Sequence, residues 1–117
     1  MRRLEEALLG VSQVGFDTAP IIYFVEAHPV YDALVTGIFS RVAAGKFRGV
    51  TSVISLTEVL VQPYRVRNRR LQQEYRQLLL SSAHFTTLPV TPSIADRAAD
   101  LRARYNLRTP DALQIAT

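Results

Sequence analysis

The stretch that decides the fold is GVTSVISLTE, residues 49–58. After Gly49, the β-branched run Val50–Ile54 predicts a short buried strand. Ser55 and Glu58 follow at once with the Ser-x-x-Glu spacing of a capping box, in which the two side chains satisfy free N–H groups at a helix start. A strand therefore passes directly into a helix, which is typical of α/β proteins.

The same kind of junction occurs earlier in the chain. The segment Ser12–Phe16 is short and apolar, and it leads into Asp17-Thr18-Ala19-Pro20. A capping side chain followed by Pro predicts the start of a helix at this point. Apolar residues then recur at helical spacing between Tyr31 and Val42, and Gly45 closes that helix.

Downstream, the alternation continues. The apolar stripe between Leu71 and Leu79 predicts a helix, Phe85–Leu88 a third strand, and Thr91-Pro92 and Thr109-Pro110 the starts of two further helices. We therefore predict an α/β fold, a three-layer sandwich with a mainly parallel sheet flanked by helices. Functional sites in such sheets lie at the carboxyl ends of the strands.

Composition limits the classes of function. The 117 residues fit a single domain over residues 1–117, with residues 1–11 as an extension before the first strand. The absence of Cys excludes disulfides, thiolate zinc sites and cysteine nucleophiles. The longest uncharged stretch, residues 77–95, contains two prolines and a histidine, so we expect no membrane span. We expect no signal peptide either, and a cytoplasmic protein.

The positive charge is concentrated in one segment. The chain has 14 Lys and Arg against 10 Asp and Glu, and residues 63–76 alone hold five Arg and one Glu. Guanidinium groups bind phosphate in a bidentate manner, although a solvated helix face has the same composition. The candidate RNA-contacting residues in this segment are Arg65, Arg67, Arg69 and Arg70.

Three acidic residues share one kind of position, since Asp17, Glu58 and Asp111 are each predicted in the first turn of a helix. Parallel neighbouring strands would bring Asp17 and Glu58 to one sheet edge, and Asp111 joins them if the last helix packs across it. Clustered carboxylates repel unless they bind a cation, and oxygen ligands favour Mg²⁺ or Mn²⁺. Helix capping alone also explains the position of each acid. The Thr18 hydroxyl likewise either caps the helix or holds a metal-bound water.

Three ordered motifs resemble those of PIN-domain nucleases, and most closely the VapC-type toxins of bacterial toxin–antitoxin pairs. They are FDTAPIIYF at residues 16–24, TSVISLTEVL at residues 51–60 and LRARYNLRTPDA at residues 101–112. The similarity runs in register over residues 12–117.

The resemblance implies a metal-dependent endoribonuclease that hydrolyses RNA phosphodiester bonds with Mg²⁺ or Mn²⁺. It implies that Asp17, Glu58 and Asp111 bind the metal, and that Thr18 is the accompanying catalytic hydroxyl. It also implies a cognate antitoxin as partner and a homodimer. The Arg65–Arg76 segment would guide the RNA backbone or meet the antitoxin.

The chain departs from the family pattern after Asp111. Family members complete the last helix, add a final strand and present a fourth acid, so we expect a truncated C-terminus that lacks the last strand here. Asp96 and Asp100 do not match the motif of the fourth acid. The alternative function is therefore a catalytically impaired PIN-like scaffold that binds RNA or protein, and a nuclease acting on DNA is a weaker third option.

Overall fold

A three-stranded parallel sheet forms the centre of the computed structural model, which describes Gly10 and residues 12–117. The strands are β1 (Gln13–Gly15), β2 (Arg48–Ser52) and β3 (Phe85–Leu88), in the order β1-β2-β3. The prediction for the extension at residues 1–11 lies outside the described residues, apart from Gly10.

Six helices accompany the sheet in the described part of the chain, and none of these helices is long and apolar enough to cross a membrane. They are α1 (Thr18–Val25), α2 (Asp32–Ala43), α3 (Val53–Arg65), α4 (Arg69–Ser81), α5 (Pro92–Tyr105) and α6 (Thr109–Ala116). The α/β fold with a parallel sheet is confirmed.

The start of α3 differs from the prediction. Strand β2 ends at Ser52, whose hydroxyl accepts a hydrogen bond from the backbone N–H of Ile54 at 3.2 Å and so caps the helix. The predicted strand, Val50–Ile54, lies two residues too far along the chain, and the capping box between Ser55 and Glu58 is wrong, because the Ser52 hydroxyl caps the helix instead. As a result, Glu58 lies in the second turn of α3 rather than the first, and it is exposed.

An aromatic core packs one face of the sheet against α1 and α2. The ring of Phe39 lies 4.6 Å from that of Phe16 and 4.2 Å from that of Phe24, in stacked geometry. Stacked and tilted rings at these distances add to the free energy of simple burial. Tyr75 and Leu79 of α4 extend this core and are almost fully buried.

A second, smaller core lies between α5 and α6. Its buried residues are Ala98, Ala112 and Ala116, whose small side chains let the two helices approach closely.

The position of α6 relative to the sheet follows from the residues near it, because successive strand residues point to opposite faces of a sheet. Gly15 and Val50 line the same cavity as Gln114 of α6, so α6 lies on the side opposite the aromatic core, at the carboxyl ends of β1 and β2. Farther from these ends the same face is exposed, at Gln13 and Arg48. Helices therefore lie on both faces of the sheet, as predicted.

The Tyr75 hydroxyl joins α4 to the end of α1 by donating a hydrogen bond to the Glu26 carboxylate. Burial raises the pKa of Tyr75 far above its ordinary value near 10, and the hydrogen bond to Glu26 and the charges of Glu26 and Glu74 raise it further. The unfolded chain therefore releases this proton first, so the contribution of Tyr75 to stability is complete below pH 10 and is lost as the pH rises above it.

We predict that the stability advantage of the parent protein over Tyr75→Phe falls above pH 10 by about 1.4 kcal/mol per pH unit. At pH 7 the variant should lose about 1 kcal/mol, the usual net value of one hydrogen bond. Urea denaturation at pH 7 to 11 measures both values. Tyr105→Phe is the control, because Tyr105 is 65% exposed. The same alkaline slope in Tyr75→Phe and parent would contradict the assignment.

Gly49 of β2 is required by close packing rather than by its backbone angles. A Cβ atom at this position would lie 2.6 Å from Cδ2 of Phe85 and 3.0 Å from Cε2 of Phe16. Both rings are buried, so neither has room to move away.

We predict that Gly49→Ala lowers the free energy of unfolding by about 1–3 kcal/mol, the usual cost of overpacking a core. Gly15→Ala is the matched control in the neighbouring strand, since a Cβ there has no neighbour within 4 Å. Thermal and urea unfolding of both variants tests the prediction. Equal stability of the two variants would contradict it.

Candidate functional site

Strands β1 and β2 end at the same edge of the sheet, and their backbone pairing fixes the position of Asp17. The N–H of Phe16 donates to the carbonyl oxygen of Val50 at 2.7 Å, and the Thr51 hydroxyl donates to the carbonyl oxygen of Phe16 at 2.8 Å. Asp17 follows at once and caps α1, where its Oδ1 accepts from the N–H of Thr18 at 2.7 Å. The Asp17 carboxylate is exposed.

A cavity of about 340 Å³ opens beside this edge. Its lining includes Gly15 and Asp17 from the β1 side, Ser52 at the end of β2, and Gln114 and Thr117 near the end of the chain. The lining also includes the apolar residues Phe16, Val50 and Ile115, so the cavity combines an apolar wall with a carboxylate, hydroxyls and an amide, as binding sites commonly do.

The side chain of Gln114 crosses the edge of the sheet. Its Nε2 donates to Oδ1 of Asp17 at 3.2 Å and to the hydroxyl of Ser55 at 2.8 Å. The Ser52 hydroxyl donates to its Oε1. The hydroxyl oxygens of Thr18 and Ser55 are 3.2 Å apart, so Thr18 joins the same network. The structure thus brings Asp17 and Thr18 together with side chains from α3 and α6.

Asp111 lies in the first turn of α6, as predicted, and is paired with a cation. Nε of Arg108 is 3.1 Å from Oδ2 of Asp111, and about half of the Asp111 side chain is exposed. The hydrogen bond to Asp111 and its charge raise the pKa of Arg108, and the charge of Glu58 raises it further.

The three predicted acids do not form a closed metal site as they stand. Within the described part of the chain, no three His, Asp or Glu side chains are grouped closely enough to hold a metal ion. The donor chemistry itself fits a hard divalent cation, because all three groups are carboxylates with exposed surface. The metal-binding roles of Asp17, Glu58 and Asp111, and the catalytic role of Thr18, stay predictions.

Ser52 and Gln114 are not among the site residues that the sequence patterns predict. Gln114 stands between apolar residues of α6, a pattern in which a polar residue normally faces solvent. The available signal was its spacing, since Gln114 follows Asp111 by three residues and so lies on the same helical face. The signal for Ser52 was its position directly before the helical run, which suits an N-cap.

The arginine-rich segment forms the turn between α3 and α4 and is exposed throughout residues 65–70. Arg70 pairs with Glu74 of its own helix at 3.2 Å, in a contact that is largely open to solvent. Arg76 is engaged within the fold, because its guanidinium donates to the Tyr64 hydroxyl and lies 5.6 Å from the centre of that ring.

The parallel sheet, the flanking helices and Asp17 at the end of β1 define an α/β domain with a polar site at the strand ends, and the sequence comparison identifies its family. The PIN domain model matches residues 15–117, so the chain belongs to the PIN-domain family. PIN domains are generally nucleases, and PIN-domain nucleases typically use divalent metal ions. No curated protein shows a significant match to the sequence.

The fold is similar to that of a solved toxin–antitoxin protein. The crystal structure of VapBC2 from Rickettsia felis bound to a DNA fragment from their promoter matches with a TM-score of 0.69 at 15% sequence identity. The match covers 89% of this chain and 78% of the other. The similarity to the VapC-type fold is therefore confirmed at the level of the structure.

Proposed function

We propose that the protein is a metal-dependent endoribonuclease, the toxin of a toxin–antitoxin pair. The observation that carries the proposal is the contact between Gln114 and Asp17, which joins α6 to the end of β1 at 3.2 Å. That contact ties the helix that carries Asp111 to the segment that carries Asp17. Membership of the PIN-domain family supports a nuclease with this edge of the sheet as its active site.

In this proposal Asp17, Glu58 and Asp111 hold Mg²⁺ or Mn²⁺. A bound divalent ion supplies an activated water and stabilises the charge that develops on a phosphodiester during hydrolysis. Asp17 lines the cavity, the Thr18 hydroxyl lies 3.2 Å from the hydroxyl oxygen of Ser55, and Arg108 balances the charge of Asp111. Since Arg108 and a cation would compete for Asp111, this exposed ion pair lowers the affinity of Asp111 for the cation only slightly.

The proposed path of the RNA runs along α3. Glu58 and Arg65 lie seven residues apart on this helix, which corresponds to about 10 Å along the axis at 1.5 Å per residue. A single strand that passes its phosphates over the exposed arginines between α3 and α4 would therefore reach the acids within a few nucleotides. Arg65, Arg67 and Arg69 are the residues proposed to contact it, with Arg70 beside them.

The proposed partner is an antitoxin protein. The structural neighbour is a VapBC2 complex bound to a DNA fragment from their promoter, and its fold resemblance supports a partner of this kind. We propose that the toxin works in the cytoplasm, where RNA is its substrate, and that it forms a homodimer.

A second candidate function is a PIN-like scaffold that binds RNA or protein without cutting it. It is favoured by the Arg108–Asp111 ion pair and by the absence of a closed three-acid group among the described residues. The two candidates differ in what happens when the charge of Asp17 is removed.

We predict that the purified protein cleaves a structured RNA pool with Mg²⁺ or Mn²⁺ and stops when EDTA is added. Asp17→Asn should lower kcat by at least about 100-fold, because an amide binds a divalent cation far less well than a carboxylate. Gel analysis of end-labelled RNA and a parallel DNA substrate measures the activity and its specificity.

Asp96→Asn on α5 is the matched control and should cleave like the parent, since Asp96 is exposed and outside the site. Equal cleavage by Asp17→Asn and parent would reveal a contaminating nuclease. RNA binding without cleavage, unchanged in Asp17→Asn, would establish the scaffold instead. Cleavage of DNA alone would overturn the choice of RNA as substrate.

We predict that replacing Arg65, Arg67 and Arg69 together by Gln reduces the salt dependence of RNA binding. Each phosphate contact contributes about 0.7 to the slope of log K against log salt for a single strand, so the slope should fall by about 2. KM should rise while kcat stays near the parent value. Arg97→Gln on α5 is the control, and an unchanged slope in the triple variant would place the RNA elsewhere.

A further inference from the structure

The amide group of Gln114 contacts three separate segments of the site. It donates to Asp17, which follows β1, and to Ser55 in the first turn of α3, and it accepts from Ser52 at the end of β2. The partners Asp17 and Ser55 lie 97 and 59 residues away in the sequence. These contacts exist only in the folded chain.

Every N–H of the Gln114 amide donates a hydrogen bond, and the partners favour one orientation of the amide. A glutamine side chain has two N–H donors on Nε2, and both are engaged, by Asp17 and by Ser55. The Asp17 carboxylate only accepts hydrogen bonds, so the reverse orientation, which would turn Oε1 toward it, is unfavourable, and Oε1 instead accepts from the Ser52 hydroxyl. Because Ser52 and Ser55 are 1% and 0% exposed, water does not compete for these partners.

The hydrogen bonds of this network reach one oxygen of the Asp17 carboxylate. Oδ1 accepts from the N–H of Thr18 and from Nε2 of Gln114. Among the described residues, Oδ2 accepts no hydrogen bond. Two donors on Oδ1 fix the rotation of the carboxylate, and the second oxygen is left for a ligand.

We propose that Gln114 is a positioning residue that orients the Asp17 carboxylate for a divalent cation. The inference rests on the proposed function, because the orientation of Asp17 matters only if this carboxylate binds a cation. Gln114 lies three residues after Asp111 on one face of α6, so the same amide also holds the Asp111 helix at the edge of the sheet. Groups that hold a metal ligand by hydrogen bonds contribute about 10–100-fold to metal affinity.

The test measures Mn²⁺ binding by electron paramagnetic resonance in the absence of RNA. Gln114→Met keeps the length of the side chain and removes the amide, and it should weaken Mn²⁺ binding about tenfold. Gln73→Met on α4 is the control, because Gln73 is an exposed glutamine away from the site. Circular dichroism and thermal melting identify the variants that fold. Gln114→Asn, one methylene shorter, is the second variant if Gln114→Met does not fold.

The Asp17→Asn background separates positioning from a general structural role. If Gln114 acts through Asp17, adding Gln114→Met to Asp17→Asn should weaken Mn²⁺ binding further by less than about twofold. A tenfold effect in both backgrounds overturns the positioning role, and so does parent-like binding by folded Gln114→Met. Absence of Mn²⁺ binding by the parent protein overturns the proposed function and the inference with it, whereas the first two outcomes leave the proposed function intact.

Discussion

The site depends on the parallel pairing of β1 with β2. The strand β1 is only three residues long, and its end is held by the backbone of Phe16, which bonds to Val50 through its N–H and to the Thr51 hydroxyl through its carbonyl oxygen. Because the strands are parallel, Asp17 emerges beside Ser52 at the same edge. Gly49 allows this pairing, since a larger residue there would collide with the rings of Phe16 and Phe85.

At this edge of the sheet, polar contacts hold a helix to the strands, whereas elsewhere in the molecule apolar burial holds the helices in place. The aromatic core holds the sheet to α1, α2 and α4, whereas α6 reaches the strand ends through the amide of Gln114 and the hydroxyls of Ser52 and Ser55. Such contacts are directional, so they fix angles as well as distances. That property suits a surface where a carboxylate must present a defined oxygen to a ligand.

Local sequence signals predicted the order of the elements well. These signals depend only on residues close together in the sequence. They are the β-branched run before residue 55, the helix start at Thr91-Pro92 and the helix end at Gly45, and the structure confirms the elements they indicate. Both Ser52 and Ser55 have side chains that suit a helix N-cap, and in the structure Ser52 takes this position by accepting from the N–H of Ile54. Gln114 was missed because its partners are distant in the chain and its neighbours in α6 are apolar.

The two unequal cores have a consequence for the dynamics of the protein. The buried residues of the cluster between α5 and α6 are three alanines, with Ile94, Leu101, Leu107 and Leu113 partly buried around them, whereas the main cluster buries several phenylalanines, a tyrosine and a leucine. Regions with less buried apolar surface open at lower free energy than the global unfolding. Opening of α5 and α6 would remove Asp111 and Gln114 from Asp17 while the sheet stayed folded. A partner that contacts this helix pair would therefore be able to change the distance of Asp111 and Gln114 from Asp17 without contacting a carboxylate.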